Sequence, residues 1–258
     1  MNRTSVYPVL TLAVMGVLWE VAVRLLDIPL YLIPAPSDIW VASLQNFDTL
    51  MAHSWITLGE IMAGFALSIA IGLPLAIAIV YSRVFEQILY PLVVACQSVP
   101  KIAVAPLFVV WLGFGTVPKV LVAFLVAFFP VVIFSVIGLE SADREMLQLV
   151  RSMGARQWDV FAKVRFPNAM PSIFGGLKVA ITLAVIGAIV GEFVGSNAGL
   201  GYLLMVATGN LDTPVLFAAI VYLTLMGVVL FYAVDFVGRL VMPWYSTSKG
   251  VEPAGAIT

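Results

Sequence analysis

Charge is what this chain has least of. Asp, Glu, Lys and Arg make up 10% of its 258 residues against 62% for the apolar types, and mean hydropathy is +1.08. A soluble domain carries about 25% charged and about 45–50% apolar residues, so a water-soluble fold is excluded and the chain reads as a polytopic membrane protein. The single cysteine, Cys96, lies in an apolar run, which excludes an intrachain disulfide and leaves the redox compartment open. One histidine, His53, has no second ligand at metal spacing and is read as structural or solvated, with no metal site expected. No GxxxxGK[ST] stretch is present, so nothing here would cradle ATP phosphates, and no room remains for an ATPase or a large soluble catalytic module. With one His and one Cys in dissimilar segments, no nucleophile and base assemble at membrane depth, which argues against an intramembrane enzyme. The N-terminal apolar stretch contains Glu20 and Arg24 and lacks a small-residue cleavage site, so it reads as a retained span rather than a signal peptide.

What is present is apolar sequence in lengths that cross a bilayer. A spanning helix needs about 20 residues, and six segments meet this: 6–26, 55–81, 88–112, 117–139, 171–194 and 214–242. The expected fold is all-α, a single transmembrane domain over 1–258. Between the first two spans, IPLYLIPAPSDIW reads as an extended crossing and then a short surface helix with Ser37 as N-cap. Pro74 predicts a kink in the second span. The third span is interrupted by Pro91, Pro100 and Pro106, with Lys101 near its middle. Lost backbone donors are tolerated at that depth only where protein or a watery cavity satisfies the freed groups. In the fifth span, Gly187, Gly191 and Gly195 recur every fourth residue beside Ala180, Ala184 and Ala188, a ladder that lets helices approach closely. Trp19, Trp40, Trp55, Trp111 and Trp244 fall near span ends, as an aromatic belt would.

The charge that exists is concentrated. The stretch 141–167, SADREMLQLVRSMGARQWDVFAKVRFP, holds five of the thirteen basic residues: Arg144, Arg151, Arg156, Lys163 and Arg165. Met146, Leu149, Val150 and Met153 recur at helical spacing, with Arg144, Glu145, Gln148, Arg151 and Ser152 opposite. Gly154 ends that helix, Trp158, Phe161, Val164 and Arg165 mark the face of a second, and Pro167 is expected to end it. With a cytoplasmic N-terminus, Arg3, Arg83, the five loop residues, Arg239 and Lys249 fall inside and Lys119 outside, a positive-inside bias that puts the 141–167 loop and both termini in the cytoplasm. An amphipathic pair of this kind suits docking into a partner's groove, with Met146, Met153, Trp158 and Phe161 as anchors and Arg151, Arg156 and Lys163 as registering charges. The competing reading is a surface helix on anionic lipid.

The pattern of helix, glycine and second helix closing on proline resembles the EAA loop of permease subunits in ATP-driven (ABC) importers. Gly154 matches the loop glycine, Val164 its aliphatic position and Phe166-Pro167 its closing pair, thirteen residues from glycine to proline. Gln148, Leu149 and Val150 stand where the Glu-Ala-Ala triplet falls, so the motif glutamate is absent. IPAPSDIW, SVPKIAVAPLFVVWLGFG, FPNAMPSIFGGLKVA and GEFVGSNAGLGYLL extend the resemblance to the nitrate/sulfonate/taurine branch of binding-protein-dependent permeases.

The resemblance implies a type I importer in the bacterial inner membrane. Its parts would be a homodimer of permease copies, two cytoplasmic ATP-binding subunits carrying ATP and Mg²⁺, and an extracytoplasmic substrate-binding protein. This chain would bind no cofactor and no nucleic acid, and would meet lipid over its outer face. The ATPase-coupling set is then Met146, Gln148, Arg151, Met153, Gly154, Ala155, Arg156, Trp158, Phe161, Lys163 and Pro167. The substrate, a small anionic or heteroaromatic solute, is not fixed by the residues. Pro100, Lys101, Pro106 and Glu192 are the candidate pathway residues. For Lys101 the rival reading is an ion pair with Glu60 or Glu192, or hydrogen bonds to carbonyls freed by Pro100 and Pro106; for Glu192 it is packing or gating. Glu20 with Arg24 and Asp235 with Arg239 read as satisfied pairs one turn apart, and Lys178 as snorkelling to the cytoplasmic surface. A secondary transporter without an ATPase partner is the alternative, and it predicts inverted repeats of broken helices rather than one broken span and a docking loop.

Overall fold

The computed structural model describes the backbone of residues 3–248, with side chains at 7 and 10–245. Every regular element among them is helical. In chain order they are α1 (Arg3–Leu25), α2 (Pro36–Gln45), α3 (Phe47–Tyr81), α4 (Arg83–Gln97), a 3₁₀ turn (Lys101–Val104), α5 (Ala105–Leu112), α6 (Thr116–Glu140), α7 (Arg144–Ser152), α8 (Gln157–Val160), a π turn (Phe161–Arg165), α9 (Phe166–Gly195), α10 (Leu200–Gly209), α11 (Thr213–Val241) and α12 (Pro243–Ser248).

Four helical runs are long and apolar enough to cross a bilayer: Phe47–Tyr81, Thr116–Glu140, Gln157–Gly195 and Thr213–Val241. A fifth crossing is available as a broken pair, Arg83–Gln97 with Lys101–Leu112, bent by 89°. The expected third span is thus a helix, a break and a second helix. Pro100 sits in the break, and Pro106 opens α5, where its missing N–H leaves no bond unmade. The expected first span, 6–26, coincides with α1, but side chains at 3–6, 8 and 9 lie outside the described residues, as does Lys249 of the positive-inside count.

The chain divides into two compact units, 1–58 with 196–226, and 59–195 with 227–258. In the first, Glu20 binds Arg24 at 2.5 Å and also takes the Ser37 hydroxyl and backbone N–H, so Ser37 ties α1 to α2. It is not the N-cap: Ala35 holds that position, and the Asp38 carboxylate accepts the Ala35 N–H at 3.2 Å. The start of α10 is capped from α3, where His53 Nδ1 accepts the Gly199 N–H and Thr57 Oγ1 the Leu200 N–H, each at 2.8 Å. Those are donors that a helix start leaves without intrahelical partners, and His53 has a structural part in satisfying them.

The second unit is built on the pairing of α6 with α9. The small-residue ladder faces α6 directly. A Cβ at Gly187 would stand 2.7 Å from Ala123 Cα, and one at Gly191 2.9 Å from Lys119 Cα, so nothing larger than hydrogen fits at this approach. Ala180, Ala184 and Ala188 are buried beside it. Around this seam, Ala76, Ile79, Val93, Phe129, Val132 and Val136 form one apolar cluster, and Leu139, Ala169 and Ile173 another.

Candidate functional site

The 141–167 loop is built as two short helices around Gly154. Asp143 opens α7 by accepting the Glu145 N–H at 2.8 Å. At the far end Gly154 has φ +82°, its N–H donates to the Arg151 carbonyl at 3.0 Å, and the Ala155 N–H donates to Val150 at 3.3 Å. This paired closure is the Schellman motif, which requires a left-handed residue where Gly154 stands.

Two faces of the loop then separate. Leu147 is buried with Ala142 and Val160 against Val150, Ala155 and Val164, so this face roots the loop in its own unit. Met146, Leu149, Met153 and Trp158 point outward, the last two 78% and 72% exposed. Gln148, Arg151 and Arg156 are exposed among them, and Lys163 binds Asp159 at 2.9 Å. Leu147 was not singled out by its sequence position, because it is the inward member of a helix whose other apolar residues face out. Phe161, expected among the outward anchors, instead stacks within its own chain, with ring centroids 5.7 Å from Tyr81 and 5.5 Å from Phe166.

Pro167 does not end the second helix. From α8 the chain runs through the π turn into α9, one helical path from Gln157 to Gly195. A proline has no N–H to give and crowds the carbonyl four residues back, which here is Lys163. The π turn widens the ladder at that place, so the loop is continuous with a spanning helix.

The candidate pathway residues fall in different surroundings. Lys101 follows the break at Pro100; its ammonium donates to the Gln97 carbonyl at 3.0 Å and lies 4.8 Å from the centre of the Phe129 ring. Glu192 is instead buried in the seam, 1% exposed, and reaches the Glu60 carboxyl through a side-chain hydrogen bond. Glu60 pairs with Lys119, at 3% and 4% exposure. Lys119, counted to the outer side in the charge distribution, is a buried member of this seam. Lys178 does not snorkel to the surface alone: it binds Asp235 at 2.8 Å, and Asp235 also holds Arg239 at 2.8 Å. No group of three or more His, Cys, Asp and Glu among the described residues is placed to hold a metal ion.

Residues 68–246, most of the chain and all of the loop, match the family described as binding-protein-dependent transport system inner membrane component. The chain belongs to this family. Relatives agree along nearly their whole length. The formylaminopyrimidine transport permease ThiX of Halalkalibacterium halodurans is 37% identical over 92% of this chain and 95% of its own. The riboflavin permease RibX of Chloroflexus aurantiacus is 36% identical over 91% and 88%, and the taurine permease TauC of Escherichia coli is 29% identical over 95% and 92%. In fold, the permease resembles a chain of the MetNI methionine ABC transporter in an inward-facing conformation, with a TM-score of 0.65 at 20% identity, covering 76% of this chain and 98% of that one. The chain is a multi-pass permease component of an ABC importer.

Proposed function

We propose that this permease forms the translocation pathway for a small heteroaromatic solute handed over by an extracytoplasmic binding protein, and receives the work of ATP hydrolysis through its 141–167 loop. The observation that carries the coupling role is the outward apolar face of Met146, Leu149, Met153 and Trp158 around a rigid glycine turn. Exposed apolar side chains rimmed by Arg151 and Arg156 have the chemistry of a docking anchor. In this reading the complex holds two permease copies and two cytoplasmic ATPase subunits, which bind ATP and Mg²⁺, while the permease binds no cofactor. Six crossings, with α1 as the first, put both termini in the cytoplasm. Closure of the ATPase dimer draws the two loops together, and because the loop runs without interruption into α9, its displacement is carried into the bundle as a rigid-body change of access.

Heteroaromatic solutes are favoured over sulfonates by similarity: relatives named for formylaminopyrimidine and riboflavin match at 37% and 36%, those named for aliphatic sulfonates and taurine at 30% and 29%. Lys101 and Glu192 remain the pathway residues of this proposal, at the mouth of the broken span and inside the seam respectively. Co-purification of the ATPase subunit tests the coupling site. Trp158→Glu and Gly154→Pro should each lose the ATPase while inserting normally, and retention of a full ATPase complement by both would refute it. Competition of uptake by a pyrimidine, a flavin and taurine tests the substrate class, and competition by taurine alone would refute it.

A further inference from the structure

In the second unit, residues of α9 and α11 line two cavities that adjoin at Phe174. The one nearer the 141–167 loop has a volume of 310 Å³ and is bounded by Pro171, Phe174, Gly175 and Lys178 of α9 and by Asp235 and Arg239 of α11. Met242 and Tyr245, just past α11, close its outer side. The second, of 300 Å³, is lined by apolar side chains alone, among them Leu177 and Ile181 of α9, Val234 and Val237 of α11, and Phe65 and Ile69 of α3. The two share the Phe174 ring as a common wall. That ring can lie there because Gly238 has no side chain, a Cβ at 238 standing 2.9 Å from Phe174 Cδ1.

The charges divide in the same way. Lys178, Asp235 and Arg239 gather in the first cavity with one positive charge in excess, and Arg239, bound to Asp235 on one side, is otherwise exposed. Tyr245 and the adjacent Trp244 stand at this end, the aromatic types that settle at headgroup level. A basic cavity with only the Phe174 ring between it and a purely apolar cleft matches an amphiphile with one negative charge at its head. A free anion would use only the first half, and a water-soluble heteroaromatic solute would gain nothing from the second.

We propose that this seam binds one anionic glycerophospholipid, its phosphodiester beside Lys178 and Arg239 and one acyl chain in the cleft beyond Phe174. Basic pockets between spanning helices favour anionic headgroups for the same electrostatic reason, and the buried chain adds apolar contact. Such a lipid would hold α9, the helix continuous with the loop, against α11.

The test is native mass spectrometry of the delipidated full-length permease, titrated in mild detergent with phosphatidylglycerol, phosphatidylcholine, glycerol 3-phosphate and inorganic phosphate. Phosphatidylglycerol should bind at least about fivefold more tightly than phosphatidylcholine, and Arg239→Gln should remove that preference. Gly175 lines the head cavity and a Cβ there meets open space, so Gly175→Leu, which adds bulk at that wall, should weaken phosphatidylglycerol; Val234→Trp should do so from the cleft. Equal binding of both lipids, or displacement of phosphatidylglycerol by equimolar glycerol 3-phosphate or phosphate, would overturn the proposal. So would an inter-copy disulfide through Ala233→Cys in a Cys96→Ser background, which would mean that a second permease copy covers the cleft.

Discussion

The Lys119 ammonium is paired with the Glu60 carboxylate inside the second unit, where α6 meets α3, and both side chains are almost wholly buried. Glu192 joins them from α9. Three ionisable side chains withdrawn from solvent are tolerable only as a mutually satisfied set, because a single buried charge left alone carries its full desolvation penalty.

Removing one member should therefore be worse than removing two. Lys119→Met strands the carboxylates and is expected to destabilise the permease by about 3–5 kcal/mol, read as a lower midpoint in denaturant titration of the detergent-solubilised protein. The double variant Lys119→Met/Glu60→Gln should recover most of that loss. A double variant no more stable than the single one would show that the pair does not matter.

The approach of α9 to α6 gives a steric prediction. Gly187→Val must push two backbones apart, since even a Cβ would meet Ala123 Cα. Overpacking of this kind costs about 1–3 kcal/mol or more, and size-exclusion profiles should show loss of monodisperse protein. Gly175→Ala, whose Cβ meets open space in the same helix, is the control and should behave as the unaltered chain.

At the start of α10, His53→Phe leaves the Gly199 N–H without its acceptor, whereas His53→Asn keeps an acceptor on a shorter side chain. An unmet buried donor is worth about 1–3 kcal/mol. Amide exchange at Gly199 and Leu200 should accelerate strongly in His53→Phe and only modestly in His53→Asn.

These three sites show where the sequence could be read and where it could not. The glycine ladder announces a close approach by its spacing, but the partner helix is known only once α6 is in place. Gly154 is legible because one residue type accepts its backbone. The break near Pro100 is legible because three prolines interrupt an apolar run. The pairing of Lys119 with Glu60 could not be read, because the two are distant in sequence and no local pattern connects them. Pro167 reads as a stop by the ordinary rule for proline, and the π turn that accommodates it leaves no mark in composition. His53 and Thr57 cap a helix in another part of the chain, a pairing that periodicity cannot show. The inward turn of Leu147 was hidden because α7 carries apolar residues on two faces, one for its own unit and one left outside.

The claim that this loop is where energy enters is tested most directly by solute uptake into proteoliposomes holding the permease with its binding protein, measured with and without the ATPase subunits. The account predicts uptake only with ATPase and ATP, reduced at least about tenfold by Trp158→Glu, the loss expected when a buried interface anchor worth more than 1–2 kcal/mol is removed. Uptake without ATPase subunits, or unimpaired uptake by the Trp158→Glu variant, would contradict it.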